Sequence, residues 1–312
     1  MTCSEAALDD ICRSLKDSYK MLLRFTYILE LNNPCIFAIY IVDVDGRFLY
    51  FFMALSTSIS GWQHCRPVIS INGTSLMNKY GGTLLSASTP DANDQIFPLA
   101  FCIVDFENDS SWTWFCNQLK RIIGGRNEVV IVSDRHKSIC KAIEVVFPNV
   151  LHCMCLVHLL RNLKLKYKRI VDTVFHAYAC GKAFNIVNFE HEMRLLESST
   201  PGIREELESI SFAKWSHAYS PHKKYNVVTI NISESLNSAM LKARELPICS
   251  MLKVLRMMLQ RWFFERRNEP NYQVTDFTKT IEGILREQIK RSRSMMVNLV
   301  NNMKYQVIDG TS

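Results

Sequence analysis

The spacing of hydrophobic residues divides the chain into a helical start, an alternating α/β centre and a helical end. Residues 1 to about 35 place apolar side chains at helical intervals and end at Asn32-Asn33-Pro34, which predicts a short helical segment. Two apolar runs follow, Ile36–Val42 and Arg47–Phe52, and the Asp- and Gly-containing segment between them is typical of a β-hairpin. We interpret residues 1–65 as a lead-in, a small appendage that precedes the main domain.

The apolar runs after Pro67 predict the element order β-β-β-α-β-α-β. The first three strands have short connections and should form an antiparallel meander; they are Val68–Asn72, Gly82–Ser88 and Ile96–Val104. The remaining elements are a helix capped by Ser110 or Ser111 and ended by Gly124-Gly125, a strand over Glu128–Asp134, a helix from Lys137 to Val146, and a strand over Val150–Leu156. The run from Glu128 to Asp134 is apolar along nearly its whole length, as expected for a central strand that is covered on both faces.

The second half of the chain has helical spacing and predicts an all-helical insertion before the last core helix. Strong helices begin near Ser233 and cover Cys249–Arg267. The fold class is therefore α/β, a mixed sheet followed by helices. The predicted divisions are a core at 66–158, a helical insertion at 159–225, final core helices at 226–270, and a basic C-terminal tail at 271–312.

The composition excludes two classes of protein. With 312 residues, of which 48% are hydrophobic, the chain can bury a large core and is not a small disulfide-stabilised module. The first twenty residues lack the basic start and apolar run of a signal peptide, so we expect an intracellular protein whose eleven cysteines are mostly free thiols. No apolar run approaches the ~20 residues that span a bilayer, which argues against a membrane protein.

Positive charge is concentrated at the C-terminal end. From Leu241 onward there are 13 Lys and Arg against 7 Asp and Glu, so +6 of the net charge of +7 lies in the last 72 residues. This asymmetry indicates either a surface that binds a polyanion or a solvated basic tail.

Three polar residues fall where a catalytic site of an α/β protein would lie. Asp134 ends the predicted central strand, and Asn72 ends the first strand, so both should emerge at one edge of the sheet. Glu234 follows at a predicted helix start. Asp134 could bind a divalent ion, or it could cap the next helix, whereas Glu234 fits a capping box with Asn231 and its spacing alone indicates no other role.

Cys155 and His158 have the Cys-x2-His spacing of zinc ligands. A structural zinc site needs four ligands, and His176 with Cys180 is the one further pair that the sequence offers. The alternative is a packed cysteine beside a structural histidine.

Two segments carry basic residues that could contact phosphates without reading a base sequence. Alternatively, each is a solvated helix face. The candidate DNA contacts are Arg161, Lys164 and Lys166 around Tyr167, and Lys253, Arg256 and Arg267 on the last long helix.

A long, ordered series of motifs resembles the Mutator-like element (MULE) transposase domain of plants, over roughly residues 20 to 270. The matching segments are Gly61-Trp62, Arg66–Ile69, Gly73-Thr74, Gly82–Leu85, Asp91–Asn93, Phe97–Ala100, Glu107-Asn108, Ser111–Phe115, Ser133–His136, Phe147-Pro148, Cys155-x2-His158, Trp215, Asn231–Asn237 and Ala243–Pro247. The N-terminal zinc domain and C-terminal zinc knuckle common in that family have no counterpart pattern, so we expect a shortened copy.

The resemblance implies an RNase H-like fold with an Asp-Asp-Glu triad that binds Mg²⁺ or Mn²⁺ and cleaves DNA. Asp134 matches the second Asp and Glu234 the Glu, whereas the first Asp is replaced by Asn72 and the His that follows it by Ser75. The implied partner is DNA, with transposon ends in the family, and Arg135 and His136 join the candidate contacts.

The resemblance also implies a nuclear protein with no small-molecule substrate and no membrane association, and a homo-oligomer is an open alternative.

Because Asn72 is neutral, we predict a transposase-derived protein with impaired catalysis and a residual role in DNA binding, or none. Asp91 and Asp105 are not expected to reach the position of Asn72. The alternative is an active metal-dependent transposase or nuclease.

Overall fold

A seven-stranded mixed sheet forms the centre of the molecule in the computed structural model, which describes residues 21–78, 81–167, 171–220, 232–268, 275–301 and 304–309. The strand order is β1-β2-β5-β4-β3-β6-β7, with β6 parallel to both β3 and β7 and all other pairs antiparallel. The strands are β1 (Phe37–Val42), β2 (Phe48–Ala54), β3 (Val68–Ser75), β4 (Thr83–Pro90), β5 (Ile96–Val104), β6 (Val130–Ser133) and β7 (Leu151–Met154).

Helices cover both faces of this sheet. They are α1 (Leu22–Asn32), α2 (Ser56–Gly61), α3 (Asp109–Ile123), α4 (Lys137–Val146), α5 (Leu156–Lys166), α6 (Val171–Lys182), α7 (Ile186–Ser199), α8 (Ile203–Ser209), α9 (Phe212–Trp215), α10 (Ile232–Ala239), α11 (Ile248–Asn268) and α12 (Lys279–Ser292). A separate hairpin, β8 (Met295–Asn301) and β9 (Lys304–Asp309), follows α12. No helix among the described residues is long and apolar enough to cross a membrane.

The predicted order β-β-β-α-β-α-β is confirmed from β3 to β7. Helix α4 has the predicted bounds, while β6 and β7 are shorter than their apolar runs. The predicted caps Ser110 and Ser111 are wrong for α3. Asn108 has the extended backbone of an N-cap and accepts a hydrogen bond from the backbone N–H of Ser111 at 2.9 Å.

The hairpin β1–β2 is a part of the central sheet and not an appendage before it. Strand β2 pairs antiparallel with β5, so that Tyr50 lies opposite Val104 and Met53 opposite Phe101. Phe51 and Phe52 are both fully buried, because one side chain enters each face of the sheet. The predicted domain boundaries stay predictions, but strands from both sides of residue 66 belong to the same sheet.

The two faces of the sheet have different covers. Helices α3 and α4 pack on one face and enclose an apolar cluster that includes Ile69, Ile71 and Trp112. On the other face, α1, α10 and α11 cover β4 and β5, and the insertion helices from α5 to α9 cover β6 and β7. The predicted helical content of residues 159–225 is confirmed as far as these residues are described.

The segment predicted as a basic tail forms α12 and the β8–β9 hairpin in its described part. The start of α12 contacts the turn between β4 and β5. Thr278 Oγ1 donates a hydrogen bond to the Ala92 carbonyl at 3.0 Å, and Thr280 Oγ1 donates one to the Asn93 carbonyl at 3.2 Å. At the other terminus, α1 accounts for the described part of the predicted helical lead-in.

Candidate active site

The parallel pairing of β3 and β6 brings Asn72 and Asp134 to neighbouring positions. Ser70 lies opposite Val132 in this ladder. The same register, continued by two residues, places Asn72 level with Asp134 directly after β6. Neighbouring strands are ~4.8 Å apart, and level residues of parallel strands face the same side. The strand register therefore agrees with the prediction that Asn72 and Asp134 lie at the same end of neighbouring strands.

Asn72 lies among buried polar residues on the side of the sheet that α10 covers. It is 6% exposed and lies opposite Ser86 of β4, while Ser70 lies opposite Ser88. The Ser70 hydroxyl contacts the hydroxyl of Ser233 in the first turn of α10. This contact holds the start of α10 against β3, next to Asn72.

Asp134 begins the turn that leads into α4. Its Oδ1 accepts a hydrogen bond from the backbone N–H of His136 at 2.9 Å, and His136 is the N-cap residue of α4. One carboxylate oxygen thus has the local turn-forming role that the sequence left open as an alternative. Participation in metal binding stays a prediction.

Glu234 lies in the first turn of α10 and forms an ion pair with Arg161 of α5. The bond joins Arg161 Nη2 to Glu234 Oε1, and the Glu234 side chain is 22% exposed. The predicted capping partner, Asn231, lies outside the described residues. Arg161, a candidate DNA contact, therefore binds a candidate catalytic residue in the structure.

The thiol of Cys155 shows that Asp134 and Glu234 lie in one electrostatic neighbourhood. Burial raises the pKa of Cys155, the backbone N–H groups of His158 and Val157 lower it, and Glu234 and Asp134 both raise it further. Cys155 is fixed at this edge because its backbone N–H donates to the Ser133 carbonyl at 2.8 Å. Asn72, Asp134 and Glu234 thus lie on elements that are joined to one another at this end of the sheet, and their common role as a triad stays a prediction.

The described residues do not supply the ligand set of a divalent metal site. Among them, no three His, Cys, Asp or Glu side chains are grouped closely enough to hold a metal ion. Asp134 and Glu234 carry the two expected carboxylates, but Glu234 is paired with Arg161 and the amide of Asn72 has no charge. Mg²⁺ and Mn²⁺ prefer several anionic oxygen ligands, so this arrangement is a poor fit to a metal pair.

A zinc site at Cys155 and His158 also lacks a full set of ligands among the described residues. The Nδ1 atom of His158 is buried and has no hydrogen-bond partner in the described part of the chain. His176 instead contacts Glu192, with 2.8 Å between Nδ1 and Oε2. Cys180 is fully buried in the core of the insertion, where burial raises its pKa to about 12.

The candidate DNA-binding residues differ in their exposure and in their ion-pair partners. Lys166 pairs with Glu206 at 2.6 Å, whereas Arg135, His136 and Lys164 are exposed near the candidate site. On α11, Arg256 is 8% exposed, so the alternative of a solvated helix face is wrong at this position, and the predicted phosphate contact would need a side chain that is more accessible. Its side chain turns toward the packed side of the helix.

The other two basic candidates on α11 differ from Arg256. Lys253 is half-buried and Arg267 is exposed. Arg267 lines an open cavity with Asp91 and Phe97, at the sheet edge opposite Asn72.

Glu107 is a carboxylate beside this site that sequence reasoning missed. A Cβ atom built on Gly73 would lie 3.1 Å from Glu107 Oε1, and the same oxygen is 3.9 Å from His136 Nδ1. Trp112 Nε1 donates a hydrogen bond to it at 3.1 Å. Gly73 faces α3, whereas Asn72 faces the side covered by α10, so Glu107 and the Asn72 side chain lie on opposite faces of the sheet. The sequence indicated Glu107 only through its position directly before Asn108, the N-cap of α3.

The two acids that were considered as replacements for Asn72 both lie elsewhere. Asp91 accepts hydrogen bonds from the backbone N–H groups of Asn93 and Gln95 in the β4–β5 turn, at the opposite edge of the sheet. Asp105 follows β5, which is separated from β3 by β4.

The central part of the chain is similar to a known domain family. Residues 68–162 match the family model described as the MULE transposase domain, which covers β3 through most of α5. A curated relative, Protein FAR-RED IMPAIRED RESPONSE 1 of Arabidopsis thaliana, is 25% identical over 154 residues. The aligned part is 49% of this chain and 18% of the relative, so the chain spans less than a fifth of that protein.

Proposed function

We propose that this chain, a relative of the MULE transposases through residues 68–162, is a transposase-derived protein with an RNase H-like core that has lost DNA strand cleavage. The order of strands from β3 to β7 and their mixed pairing support such a core. The matched region contains Asn72 and Asp134 and ends within α5, the helix that carries Arg161. Glu234 lies beyond it.

The neutral residue at position 72 is the observation that carries the proposal. Asn72 lies level with Asp134 and beside the start of α10, where the family resemblance places the first carboxylate. An amide can donate one neutral oxygen to a cation but cannot bridge two dications. Losing one preorganised hydrogen-bond donor from an active site costs a factor of ~10²–10³ in rate, and the loss of an anionic metal ligand should cost at least as much.

DNA binding is the activity we propose to remain, in the nucleus. The supporting groups are the exposed side chains of Arg135, His136 and Lys164 around the candidate site. Contacts of this kind neutralise phosphates and release counterions, so affinity should fall steeply with salt. The relative is named for a far-red response and not for transposition, which is consistent with a retained role that does not need strand transfer.

Cleavage of labelled duplex DNA in Mg²⁺ and Mn²⁺ tests the proposal. We expect no cleavage by the wild-type protein and measurable cleavage by Asn72→Asp, while Asn72→Asp combined with Asp134→Ala serves as the inactive control. Equal cleavage by the wild-type protein and Asn72→Asp would refute the loss of activity. Filter binding over a salt series tests the DNA-binding part separately.

The position of Glu107 favours a second candidate function, an active metal-dependent nuclease. Its carboxylate lies over Gly73 and close to His136, so a small rearrangement around the sheet edge could bring a third acid to the site. In that case Glu107→Gln would abolish cleavage by the wild-type protein. The same substitution would have little effect on cleavage by Asn72→Asp if the first proposal holds.

A further inference from the structure

The ion pair between Arg161 and Glu234 joins two helices that meet at the candidate site. Helix α5 begins directly after Cys155, whose backbone is bonded to Ser133 next to Asp134. Helix α10 is held to β3 through the contact of Ser233 with Ser70. Both partners of the ion pair are therefore attached to the edge of the sheet where Asp134 and Asn72 lie.

The charges at this edge are balanced in part by the protein itself. Asp134 and Glu234 contribute two negative charges, Asn72 contributes none, and Arg161 contributes one positive charge next to Glu234. A divalent ion that bound Glu234 through Oε1 would have to displace the guanidinium, and one that bound through Oε2 would lie close to its positive charge. Arg161 and a metal ion thus compete for one ligand.

We propose that Arg161 is the resident cation of this site, occupying Glu234 in place of a divalent metal. The inference rests on the proposed function and makes it more specific, since the residues at two positions, 72 and 161, then both disfavour a bound metal. Restoring a carboxylate at position 72 alone leaves Glu234 engaged by Arg161. Full metal affinity requires both changes.

The solvent exposure of the two side chains limits how strongly Arg161 weakens metal binding. The Arg161 side chain is 54% exposed and that of Glu234 is 22% exposed, so solvent and salt weaken their attraction. Exposed ion pairs of this kind correspond to a change of ~1.5- to 5-fold in an equilibrium constant. Arg161 therefore weakens metal binding without blocking it.

Manganese titration followed by electron paramagnetic resonance measures this competition directly. The proteins are wild type, Asn72→Asp, Arg161→Gln, and the double variant Asn72→Asp with Arg161→Gln. We expect the double variant to bind Mn²⁺ ~1.5- to 5-fold more tightly than Asn72→Asp alone. Asn72→Asp should bind more tightly than wild type because it adds a ligand.

Two control variants separate a specific ion pair from general electrostatics. Lys164→Gln removes the same charge one turn further along α5 and, in the Asn72→Asp background, should change Mn²⁺ affinity by less than about 1.5-fold. Arg161→Lys keeps the charge and should retain most of the competition. Circular dichroism and thermal unfolding of each variant identify any that fail to fold.

The inference is overturned if Arg161→Gln and Lys164→Gln change Mn²⁺ affinity equally, or if the double variant binds no Mn²⁺. These outcomes do not depend on cleavage. The proposed function instead fails if the wild-type protein cuts DNA, whatever the Mn²⁺ affinities are.

Discussion

The two sides of strand β3 meet different surroundings. Ile69 and Ile71 point into the apolar cluster under α3 and α4, while Ser70 and Asn72 point toward α10 among other buried hydroxyl groups. Alternate residues of one strand thus serve different purposes. Apolar packing on the first side stabilises the sheet, whereas the row of buried polar groups on the second side adds little packing energy and coincides with the candidate site.

The largest expected effect lies on the apolar side of this comparison. Trp112 is fully buried there, and Trp112→Ala should lower the free energy of unfolding by about 3–5 kcal/mol because it removes a large side chain and leaves a cavity. Ser86→Ala, on the polar side opposite Asn72, should cost about 1 kcal/mol or less. Urea unfolding of both variants checks the difference. Similar losses would contradict the division of roles between the two sides.

The pH dependence of the free energy of unfolding tests the apolar side of the sheet, through His152 on β7. The pKa of His152 is lowered from 6.5 to about 4, mainly by burial and also by the positive charge of Lys214, while the negative charge of Asp134 opposes both. His152 is therefore neutral in the folded protein at pH values where it is already protonated in the unfolded chain. The free energy of unfolding should be unaffected above pH ~6.5 and should fall by about 2–3 kcal/mol as the pH decreases to ~4.

His152→Gln provides the matched control for this pH dependence. Gln does not titrate but can still accept or donate at the position where His152 Nε2 contacts Ser133 Oγ at 2.8 Å. Chemical unfolding between pH 7 and pH 4 should show a shallower loss of stability for His152→Gln than for the wild-type protein. Parallel curves would show that the buried imidazole does not titrate as described.

The smallest expected effect concerns the start of α3. Asn108→Ala removes the side-chain oxygen that accepts the Ser111 N–H, and it should cost about 1 kcal/mol of stability. Asn117→Ala is the control, because Asn117 is exposed within the same helix and Ala is favourable there. Thermal unfolding of the two variants distinguishes them. An equal shift in Tm would contradict the assignment of Asn108 as the cap.

Local patterns in the sequence were sufficient for most elements of the fold. The apolar spacing predicted α4 with its correct bounds and the order of β3 to β7, because both depend on residues close together in the chain. The pairing of β2 with β5 was missed, since a hairpin pattern does not indicate which strand it joins. The cap of α3 was misplaced because Asn108 and two serines are adjacent candidates.

The candidate site was only partly accessible from the sequence. Strand ends predicted that Asn72 and Asp134 would meet, and the family resemblance added Glu234. The ion pair of Arg161 with Glu234 joins residues 73 positions apart, and Glu107 approaches Gly73 from another element. Contacts of this kind depend on how helices pack on the sheet, which neither periodicity nor motif spacing specifies.

The pairing of β2 with β5 determines how much of the chain must be kept for the core to behave as a soluble unit. A fragment that began at residue 66 would leave β5 with an open row of backbone donors and acceptors along its outer edge. Such an edge recruits strands from other molecules and promotes aggregation. The shortest fragment suited to binding or cleavage assays should therefore begin before Phe37, well ahead of the region that matches the transposase family.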